Sequence, residues 1–386
     1  MPLPNYTGKG IINLISTIGQ AVGYKSKYKT LDILSPSELK NYKNIVFMLV
    51  DGLGYEFLKK NGKGSFLNEN LKGKIISTFP SSTSSVIPAL HTITSPQEHG
   101  MTGWNMFIKE LESVIISLPY MDRKENSSLS EVIDIKKVFN IKPFYDKIRR
   151  KSYIVTKNVI INSDFSLATK GKSKTVGYDN LNGFFSSIRK TIKSGKERKY
   201  ILAYWPDHDS LCHEHGSESK KVLKNFRNFD SSLKSFLKTI KGTDTVLVIA
   251  SDHGIKDIPK SKKIDLKSHP KLRECLSIPL CGETRFAYCY VKPSKEKQFK
   301  NYIKTRLKHC CKLYKSEDLF KKGFFGLGKP HKNFFNRIGD YTLIMKDNYA
   351  IYDRPEYSKK HSTGHDGSHG GLSKEEMHIP LIVIKA

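Results

Sequence analysis

Carboxylate and imidazole side chains follow three apolar segments of this 386-residue chain, close to the point where each segment ends. They are Asp51 after Ile45–Val50, Asp207, Asp209 and His213 after Tyr200–Trp205, and Asp252 and His253 after Thr245–Ala250. A single aspartate in such a position is usually a turn or helix-cap residue. Its recurrence, together with a His- and Gly-rich stretch before the last apolar segment, supplies the oxygen and nitrogen ligands that Zn²⁺ and related divalent ions prefer. The pattern therefore predicts a metal site.

One of these stretches has the spacing of a ligand pair. Asp209 and His213 are four residues apart, which on a helical turn puts both side chains on one face and within reach of one ion. Asp207, His208 and His215 lie in the same stretch, and spacing alone leaves them open as alternative ligands.

A second informative stretch, Phe79–Val86, is dense in hydroxyl side chains and precedes an apolar-patterned segment. A hydroxyl at a helix N-terminus commonly caps the helix. The same position also suits a phosphate, because free backbone N–H groups and the helix dipole attract an anion there. A hydroxyl that coordinates a divalent ion loses its proton more readily and becomes a nucleophile. The stretch is compatible with both roles.

The elements that must position these groups are short apolar strands separated by helical or loop stretches. Continuous apolar runs indicate strands covered on both faces, and they lie at Ile45–Val50, Tyr200–Trp205, Thr245–Ala250, Phe286–Val291 and Ile379–Ile384. Helices are predicted over Tyr55–Leu71, Thr83–Ile93 and Lys220–Lys241. The alternation predicts an α/β fold with a mostly parallel central sheet covered by helices on both faces. The carboxyl ends of its strands would meet at one rim, where open α/β sheets bind ligands.

The organisation of the chain favours a single domain over residues 1–386, with residues from about 255 to 356 as a cap or insertion within it. That region has short aromatic segments and turn signals, and no internal repeat or low-complexity linker divides the chain. The chain carries 66 Lys and Arg against 37 Asp and Glu, a formal net charge of +29. This balance excludes an acidic solvating protein and favours anionic partners, although the lysines are scattered and form no Arg-rich tail.

Cysteine usage and the apolar segments bear on the location of the protein. Six cysteines show no CxxC spacing, so reduced structural thiols are expected. The N-terminus has no basic segment followed by an apolar run, and no apolar window approaches the roughly 20 residues needed to span a bilayer. The sequence therefore predicts a cytoplasmic protein without a membrane span.

A set of short motifs occurs in order along nearly the whole chain. They are LVDGLG at 49–54, TFPSSTSS at 78–85, SPQEHGMTGW at 95–104, YWPDHDSLCHEHG at 204–216, ASDHG at 250–254, CGETRF at 281–286, RIGDY at 337–341 and GSHGGLS at 367–373. Single motifs of this kind are loose, but the ordered set is specific. It resembles the type I phosphodiesterase/nucleotide pyrophosphatase family of the alkaline phosphatase superfamily. The resemblance implies an alkaline phosphatase-like fold.

The resemblance also implies a site for two divalent metal ions, expected to be Zn²⁺. The residues that match the ligands of the family are Asp51, Asp252 and His253 for the ion beside the nucleophile, and Asp209, His213 and His369 for the second ion. Two such ions can clamp the attacking and the leaving oxygen of an in-line displacement at phosphorus.

A hydroxyl nucleophile is the third implication of the resemblance. Counted back from the His99-Gly100 pair, the matching position is Thr83, which would form a phosphothreonine intermediate. Thr78 is the alternative, because it precedes Phe-Pro as the nucleophile does in some relatives. Ser82 and Ser84 are weaker candidates.

The chain departs from the family pattern close to this nucleophile. Pro88 lies within the predicted nucleophile helix, where it removes one backbone hydrogen bond. Relatives that hold the oxyanion with an Asn place it where Trp104 stands here, and Asn105 is adjacent. Trp104 and Asn105 are therefore the candidate substrate-binding residues.

The resemblance and the residues together favour a metal-dependent hydrolase of phosphodiester or pyrophosphate bonds in small, nucleotide-type substrates. One alternative is a phosphomonoesterase that uses the same site. Another is a basic nucleic-acid-binding protein on an inactive hydrolase scaffold, for which the net charge is the argument. Nucleic acid is not the favoured partner, because all the ligand candidates and a hydroxyl nucleophile are present.

Overall fold

The computed structural model describes residues 2–353 and 365–386, so the last residues of the expected cap, 354–356, lie outside the described residues. The strands are Asn44–Val50 (β1), Leu71–Ile76 (β2), Asn105–Ile108 (β3), Ser113–Ile116 (β4), Met121–Asp122 (β5), Lys151–Lys157 (β6), Lys174–Tyr178 (β7), Lys199–Trp205 (β8), Thr245–Ala250 (β9), Lys256–Asp257 (β10), Lys263–Asp265 (β11), Cys281–Gly282 (β12), Phe286–Cys289 (β13), Cys311–Lys315 (β14), Tyr341–Met345 (β15), Ala350–Tyr352 (β16), Gly367–Ser368 (β17) and His378–Lys385 (β18).

Helices connect and cover these strands. They are Ile11–Ala21 (α1), Ser37–Lys40 (α2), Tyr55–Asn61 (α3), Phe66–Glu69 (α4), Thr83–Thr92 (α5), Pro96–His99 (α6), Ile135–Val138 (α7), Asp164–Thr169 (α8), Leu181–Lys193 (α9), Asp207–His215 (α10), Lys220–Thr239 (α11), Pro270–Arg273 (α12), Glu296–Tyr302 (α13), Ser316–Lys321 (α14), Phe334–Arg337 (α15) and Lys374–Met377 (α16). None of the helices within the described ranges combines the length and the apolar composition that crossing a membrane requires.

The central sheet has seven strands in the order β2-β18-β9-β1-β8-β6-β7. The five strands from β9 to β7 are mutually parallel, whereas β18 runs antiparallel to both β9 and β2. Leu49 in β1 pairs with Tyr204 in β8 and with Ala250 in β9, so these three strands end at the same level. The prediction of a mostly parallel central sheet is confirmed, and the three predicted strands that precede the Asp and His residues are its central neighbours.

Helices cover both faces of this sheet. Every residue of β1 and β9 is accordingly buried. Successive side chains of a strand point to opposite faces. Ile45, Phe47 and Leu49 accordingly pack in one core with residues of α1 and α5, while Val46, Met48 and Val50 pack in another with residues of α9 and α11. The two cores fix the central strands between two helical layers.

A second sheet of seven strands, β14-β15-β13-β12-β3-β4-β5, is antiparallel throughout. The expected strand Phe286–Val291 is β13 of this sheet and not a strand of the central one, because it pairs with β12 and β15. Strands β12 to β15 come from within residues 255–356, and β3 to β5 come from residues 105–122, earlier in the chain. The single-domain organisation with a cap stays a prediction.

Two of the three predicted helices form almost as expected, as α5 and α11. The helix predicted over Tyr55–Leu71 is wrong in its extent, since it is divided into α3 and α4. Gly62 ends α3, and Gly64 between the two helices has a φ of +75°, a conformation that glycine adopts readily. Leu71 then begins β2 instead of ending a helix.

Candidate active site

The predicted metal-binding residues meet at the carboxyl rim of the central sheet. Asp51 follows β1 directly, Asp252 and His253 follow β9, and Asp209 lies on α10 just after β8. Because β8, β1 and β9 are adjacent and end at one level, these side chains converge. His369 follows β17 and reaches the same place from the C-terminal part of the chain.

Asp51, Asp252 and His253 form the first group, called the inner cluster below. One ligand atom from each lies within 4.8 Å of the others. His253 Nε2 is 3.5 Å from Asp51 Oδ1 and 3.4 Å from Asp252 Oδ2. All three side chains are almost completely buried, so the group is closed off from bulk solvent on most sides.

Asp209, His213 and His369 form the second group, called the outer cluster, with ligand atoms again within 4.8 Å of one another. Nε2 of His213 lies 3.4 Å from Asp209 Oδ2, and Nε2 of His369 lies 3.9 Å from Asp209 Oδ1. His369 is also stacked on His253, with ring centroids 3.7 Å apart. The structure therefore brings all six predicted residues together as two adjoining groups.

Backbone carbonyls orient the three histidines. Nδ1 of His213 donates to the carbonyl of Gly367 at 2.8 Å, and Nδ1 of His253 and of His369 donate to the carbonyls of Gly254 and Ser81 at 3.2 Å each. A carbonyl only accepts, so each Nδ1 carries a hydrogen, and each Nε2 faces the carboxylates. Burial also lowers the pKa of His369, which keeps its ring neutral.

Hydrogen bonds occupy one oxygen of each inner carboxylate and leave the other bare. Tyr204 donates its hydroxyl to Asp51 Oδ2. Asp252 Oδ1 accepts from the backbone N–H of Gly52 at 3.2 Å and of His253 at 3.0 Å. The opposite oxygens, Asp51 Oδ1 and Asp252 Oδ2, face His253 Nε2.

Three buried carboxylate oxygens have no hydrogen-bond donor among the described residues: Asp51 Oδ1, Asp209 Oδ1 and Asp252 Oδ2. Burial, together with the neighbouring Asp252 and Asp209, raises the pKa of Asp51 well above its usual range. Bare buried carboxylates are costly unless cations pair with them. Since the remaining ligand atoms are imidazole nitrogens, this donor set fits divalent metal ions such as Zn²⁺.

Thr83 lies against the inner cluster, as the first residue of α5. Its Oγ1 is 3.1 Å from His253 Nε2. Thr78, the alternative nucleophile, is fully buried and donates its hydroxyl to the carbonyl of Pro80 at 2.8 Å. The hydroxyls of Ser82 and Ser84 bond to each other at 2.9 Å and to Glu283. Of the four candidates, Thr83 is therefore the hydroxyl hydrogen-bonded to a cluster residue.

The alternative ligands after β8 lie outside both clusters. Asp207 forms an ion pair with Lys157. His208 packs edge-on against Phe57, with centroids 4.8 Å apart. His215 lies 3.1 Å from Lys221 Nζ. On α10, only the pair with four-residue spacing, Asp209 and His213, turns toward the rim.

The predicted substrate-binding residues border the cavity in front of Thr83. This cavity, called the polar cavity, has a volume of about 450 Å³ and is lined by residues that include Thr83, Trp104, Asn105, Arg123, Asp209, His213, Glu283 and His369. Asn105 begins β3, and the backbone N–H of Trp104 donates to Glu283 Oε1 at 3.0 Å. Both residues therefore line the same cavity as Thr83.

Sequence reasoning missed the role of Glu283, although its motif CGETRF was noted. Its Oε1 accepts from Ser82 and Ser84, on either side of Thr83, and from the backbone of Trp104. Burial raises the pKa of Glu283 from 4.5 to about 7. Trp104 and Ser82 lie 179 and 201 positions from Glu283 in the sequence. No local pattern could therefore have predicted these contacts.

The mostly parallel central sheet, with Asp and His groups gathered at its carboxyl rim, is the arrangement expected of an alkaline phosphatase-like enzyme. The chain matches the family model of type I phosphodiesterase/nucleotide pyrophosphatase over residues 45–372. It therefore belongs to that family and is an enzyme of the phosphodiesterase/nucleotide pyrophosphatase type. No curated protein sequence matches the chain significantly.

Solved structures share the fold at low sequence identity. Murine ectonucleotide pyrophosphatase/phosphodiesterase 5, solved as an inactive variant in complex with AMP, has a TM-score of 0.64 at 16% identity, over 87% of this chain and 87% of that one. The human counterpart gives 0.64 and 16%, over 88% and 87%. Phosphonoacetate hydrolase from Sinorhizobium meliloti, in complex with phosphonoacetate, gives 0.62 and 16%, over 88% and 89%.

Proposed function

We propose that the chain hydrolyses phosphodiester or pyrophosphate bonds of small, nucleotide-type substrates, with Thr83 as the nucleophile. The observation that carries the proposal is the distance of 3.1 Å between Thr83 Oγ1 and His253 Nε2, which puts the hydroxyl against the inner cluster. The same hydroxyl lines the polar cavity, where a substrate phosphorus can approach it.

The two clusters would hold two divalent metal ions, with Zn²⁺ the expected metal. The inner ion would be held by Asp51, Asp252 and His253, and the outer ion by Asp209, His213 and His369. Ions bound in this way neutralise phosphoryl charge and make a nearby hydroxyl more acidic. The bare oxygens of the three aspartates support this assignment, since they have no hydrogen-bond partner within the described part of the chain.

Thr83 would carry out the first displacement. Its Oγ forms a bond to phosphorus, the bond from phosphorus to the leaving oxygen breaks, and the departing group takes up the proton. The product is a phosphothreonine. Water then attacks the same phosphorus, Thr83 regains a proton, and a phosphate monoester is released. In total one water is consumed and one ester or anhydride bond is cleaved.

The start of α5 supports binding of the phosphoryl group. The first N–H groups of a helix have no partner within the helix, and the helix dipole makes this end positive. Thr83 is the first residue of this ten-residue helix, so a phosphorus bonded to Thr83 lies at a position that favours anions.

The structural neighbours agree with this assignment. The murine neighbour was solved with AMP, a nucleoside monophosphate, and its inactive form carries a threonine-to-alanine substitution. The bacterial neighbour was solved with phosphonoacetate, so the shared fold also accommodates a second class of phosphorus compounds. A nucleoside monophosphate is the product expected when a nucleotide-type diester is cleaved.

The decisive experiment is hydrolysis of bis-p-nitrophenyl phosphate by the metal-supplemented protein. We expect turnover that EDTA and Thr83→Ala both abolish, whereas Thr78→Ala retains it because Thr78 is bonded to a carbonyl away from the clusters. Faster turnover of p-nitrophenyl phosphate than of the diester would favour the phosphomonoesterase alternative. No turnover of either ester, combined with salt-sensitive binding of DNA or RNA, would favour the nucleic-acid-binding alternative.

A further inference from the structure

The amino-terminal ends of the parallel strands form the edge of the central sheet that lies opposite the clusters. Asn44 of β1 pairs with Lys199 of β8 and with Thr245 of β9, and Lys199 pairs with Lys151 of β6, so these four strands also begin at one level. β7 begins beside Tyr153, two residues further along β6. Because neighbouring strands lie about 4.8 Å apart, the five strand starts form an edge roughly 19 Å wide.

Lys and Arg residues are concentrated in the segments that lead into these five strands. The segments, together called the basic rim, are 40–43, 147–151, 170–174, 193–199 and 238–244. Each segment contains at least two Lys or Arg residues, and most of their side chains are exposed. The acidic residues of the basic rim are Glu197 and Asp244.

The carboxyl rim of the same sheet has the opposite charge. The residues that follow the strands there include several carboxylates, namely Asp51 after β1, Asp179 after β7, Asp207 and Asp209 after β8 and Asp252 after β9. The central sheet is therefore polarised in charge from one edge to the other. Lysines scattered evenly over a basic chain would not produce this difference.

Most of the positive charge on the basic rim is unpaired. Among its Lys and Arg residues, Lys151 is the one that forms an ion pair with a described residue, Glu197, at 2.8 Å. The carboxylate of Asp244 accepts from the backbone N–H of Lys43 at 2.9 Å. Arg150 donates to backbone carbonyls, which hold its guanidinium at the sheet edge without neutralising it.

Stabilisation of helices accounts for part of the basic rim. A lysine in the last turn of a helix interacts favourably with the negative end of the helix dipole, as Lys193 in α9 and Lys238 in α11 can do. This explanation does not extend to Arg149, Arg150 and Lys151, which directly precede β6. Their charges are available to a partner outside the chain.

The basic rim extends across the sheet edge as well as along it. Tyr145, just before segment 147–151, packs in the core that contains α1 and α5, whereas Ile192, just before segment 193–199, packs in the core on the other face of the sheet. Basic segments therefore emerge on both sides of the sheet edge. A planar anionic surface can contact such a broad face as a whole.

The side chains of the basic rim favour a lipid surface over nucleic acid. Proteins that bind single strands stack bases on aromatic side chains, but the aromatic residue of the basic rim, Tyr42, is half-buried. The elements that enter a duplex groove are helices or β-ribbons, whereas the basic rim consists mainly of turns and strand starts. Its large apolar residues, Ile148 and Ile240, are not exposed either, so a contact made by this face is electrostatic.

We propose that the basic rim binds an anionic lipid bilayer and holds the protein at that surface without inserting into it. Lys and Arg residues close to a bilayer are attracted to anionic headgroups within about a Debye length. The inner cluster begins at the other end of the seven-residue strand β1, about 23 Å away. The clusters and Thr83 therefore face the aqueous phase, from which a small substrate reaches them.

The test is sedimentation of the full chain with vesicles of phosphatidylcholine alone or of phosphatidylcholine mixed with phosphatidylserine. We expect the protein to bind the mixed vesicles and not the neutral ones. Binding should be lost as the salt concentration rises, because salt screens the attraction between exposed charges. Absence of binding to the mixed vesicles, equal binding to both kinds, or binding that high salt does not reverse would each overturn the inference.

A charge-reversal variant locates the contact on the protein. K147E/K196E/K241E changes three exposed lysines, each from a different segment of the basic rim. We expect its partition coefficient for the mixed vesicles to fall by at least about 100-fold, since each Lys near an anionic surface contributes roughly a factor of five to binding. An unchanged partition coefficient would show that the basic rim is not the contact.

The matched control makes the same change in net charge outside the central sheet. K297E/K304E/K308E changes three exposed lysines within and just after α13. It should lower the partition coefficient by less than about fivefold, because charges more than a Debye length from the surface are screened. Equal losses in both variants would mean that net charge alone, and not the basic rim, determines binding.

Two further measurements separate this inference from its alternative and from the proposed function. Binding of an RNA or DNA oligonucleotide that K147E/K196E/K241E abolishes, without binding of the unsubstituted protein to mixed vesicles, would assign the basic rim to nucleic acid instead. Turnover of bis-p-nitrophenyl phosphate should agree within about twofold on and off the mixed vesicles, because the clusters lie beyond the Debye length of about 8 Å. Turnover that is lost on the vesicles would overturn the proposed orientation. Absence of turnover in both conditions would contradict the proposed function and leave the result on lipid binding unaffected.

Discussion

The imidazole rings of His253 and His369 are stacked, with centroids 3.7 Å apart and planes inclined by 21°. One ring belongs to the inner cluster and the other to the outer cluster. Two protonated rings in this contact would repel each other, and the pKa of His369 is lowered by burial first and by His253 next. Burial and this contact together favour the neutral form of His369, a candidate metal ligand, and the contact joins the two clusters.

Replacing His369 tests whether the outer cluster binds a metal ion of its own. His369→Ala removes one of three ligand atoms from the outer cluster and none from the inner cluster, so we expect the protein to retain one divalent ion per chain instead of two. Metal analysis after dialysis measures this. His215→Ala, outside both clusters and beside Lys221, should retain both ions. Two ions retained by His369→Ala would show that the outer cluster is not a metal site.

Tyr204 is expected to act through Asp51. Tyr204→Phe leaves Asp51 Oδ2 without its donated hydrogen bond, and loss of a partner that orients a metal ligand typically lowers metal affinity by about 10–100-fold. Competition with a chromogenic chelator measures the affinity. Tyr178→Phe is the matched control, because that hydroxyl donates to the carbonyl of Tyr204 at 2.6 Å and not to a cluster residue. Equal affinities for both variants would contradict the role of the Tyr204 hydroxyl.

Glu283 should make stability depend on pH. Its pKa is raised by burial from 4.5 to about 7, so between these values the folded protein binds a proton that the unfolded chain has lost. Stability from this group therefore falls as pH rises, by about 3 kcal/mol in total above pH 7. Glu283→Gln lacks this loss and still offers an acceptor to Ser82 and Trp104.

The measurement for Glu283 is the free energy of unfolding in urea at several pH values. We expect the unsubstituted protein and Glu283→Gln to have similar free energies of unfolding below pH 4.5. As the pH rises toward 7, Glu283→Gln should become the more stable of the two. A difference that does not change with pH would mean that Glu283 does not titrate in this range.

Arg285 and Glu376 form a buried ion pair that joins the second sheet to the rim. Nε and Nη2 of Arg285 donate to the two carboxylate oxygens of Glu376 at 3.1 and 3.0 Å, and the carbonyl of Glu376 accepts from Gly254 next to His253. Arg285→Leu leaves the carboxylate unpaired and should cost about 3–5 kcal/mol in unfolding free energy. The R285L/E376L double variant should recover much of that loss, and a double variant less stable than R285L would contradict this explanation.

The central strands and the Asp and His residues that follow them were predictable because their signals are local, whereas the division of these residues into two ligand sets, with His369, came from the resemblance to the family. Ile45–Val50 and Thr245–Ala250 are continuous apolar runs, and each is followed directly by a cluster residue. Strands of this kind are buried on both faces and parallel, so their ends meet. Helical spacing suggested Asp209 and His213 as a pair but left Asp207, His208 and His215 open. The resemblance to the family was needed to select that pair and to choose Thr83 over Thr78.

Other features depended on contacts that local pattern does not encode. Phe286–Cys289 has the apolar run of a central strand, but its partner β15 determines that it joins the second sheet. The break between α3 and α4 depends on Gly62 and Gly64, whose cost in a helix is small enough to be missed. A cavity of about 350 Å³ that Thr83 lines brings together α5, β6, α8 and β8, which are separated along the chain.

The distribution of the clusters along the chain has a consequence for biosynthesis. The inner cluster is complete in sequence once His253 has been made, but the outer cluster also requires His369, which lies beyond the second sheet and just before β18. A nascent polypeptide therefore carries five of the six cluster residues, but an incomplete outer cluster, until His369 has been made. Proteolytic clipping ahead of His369 would likewise leave a fragment with Thr83, a complete inner cluster and an incomplete outer cluster, so assembly of the rim depends on a residue far along the chain from His253.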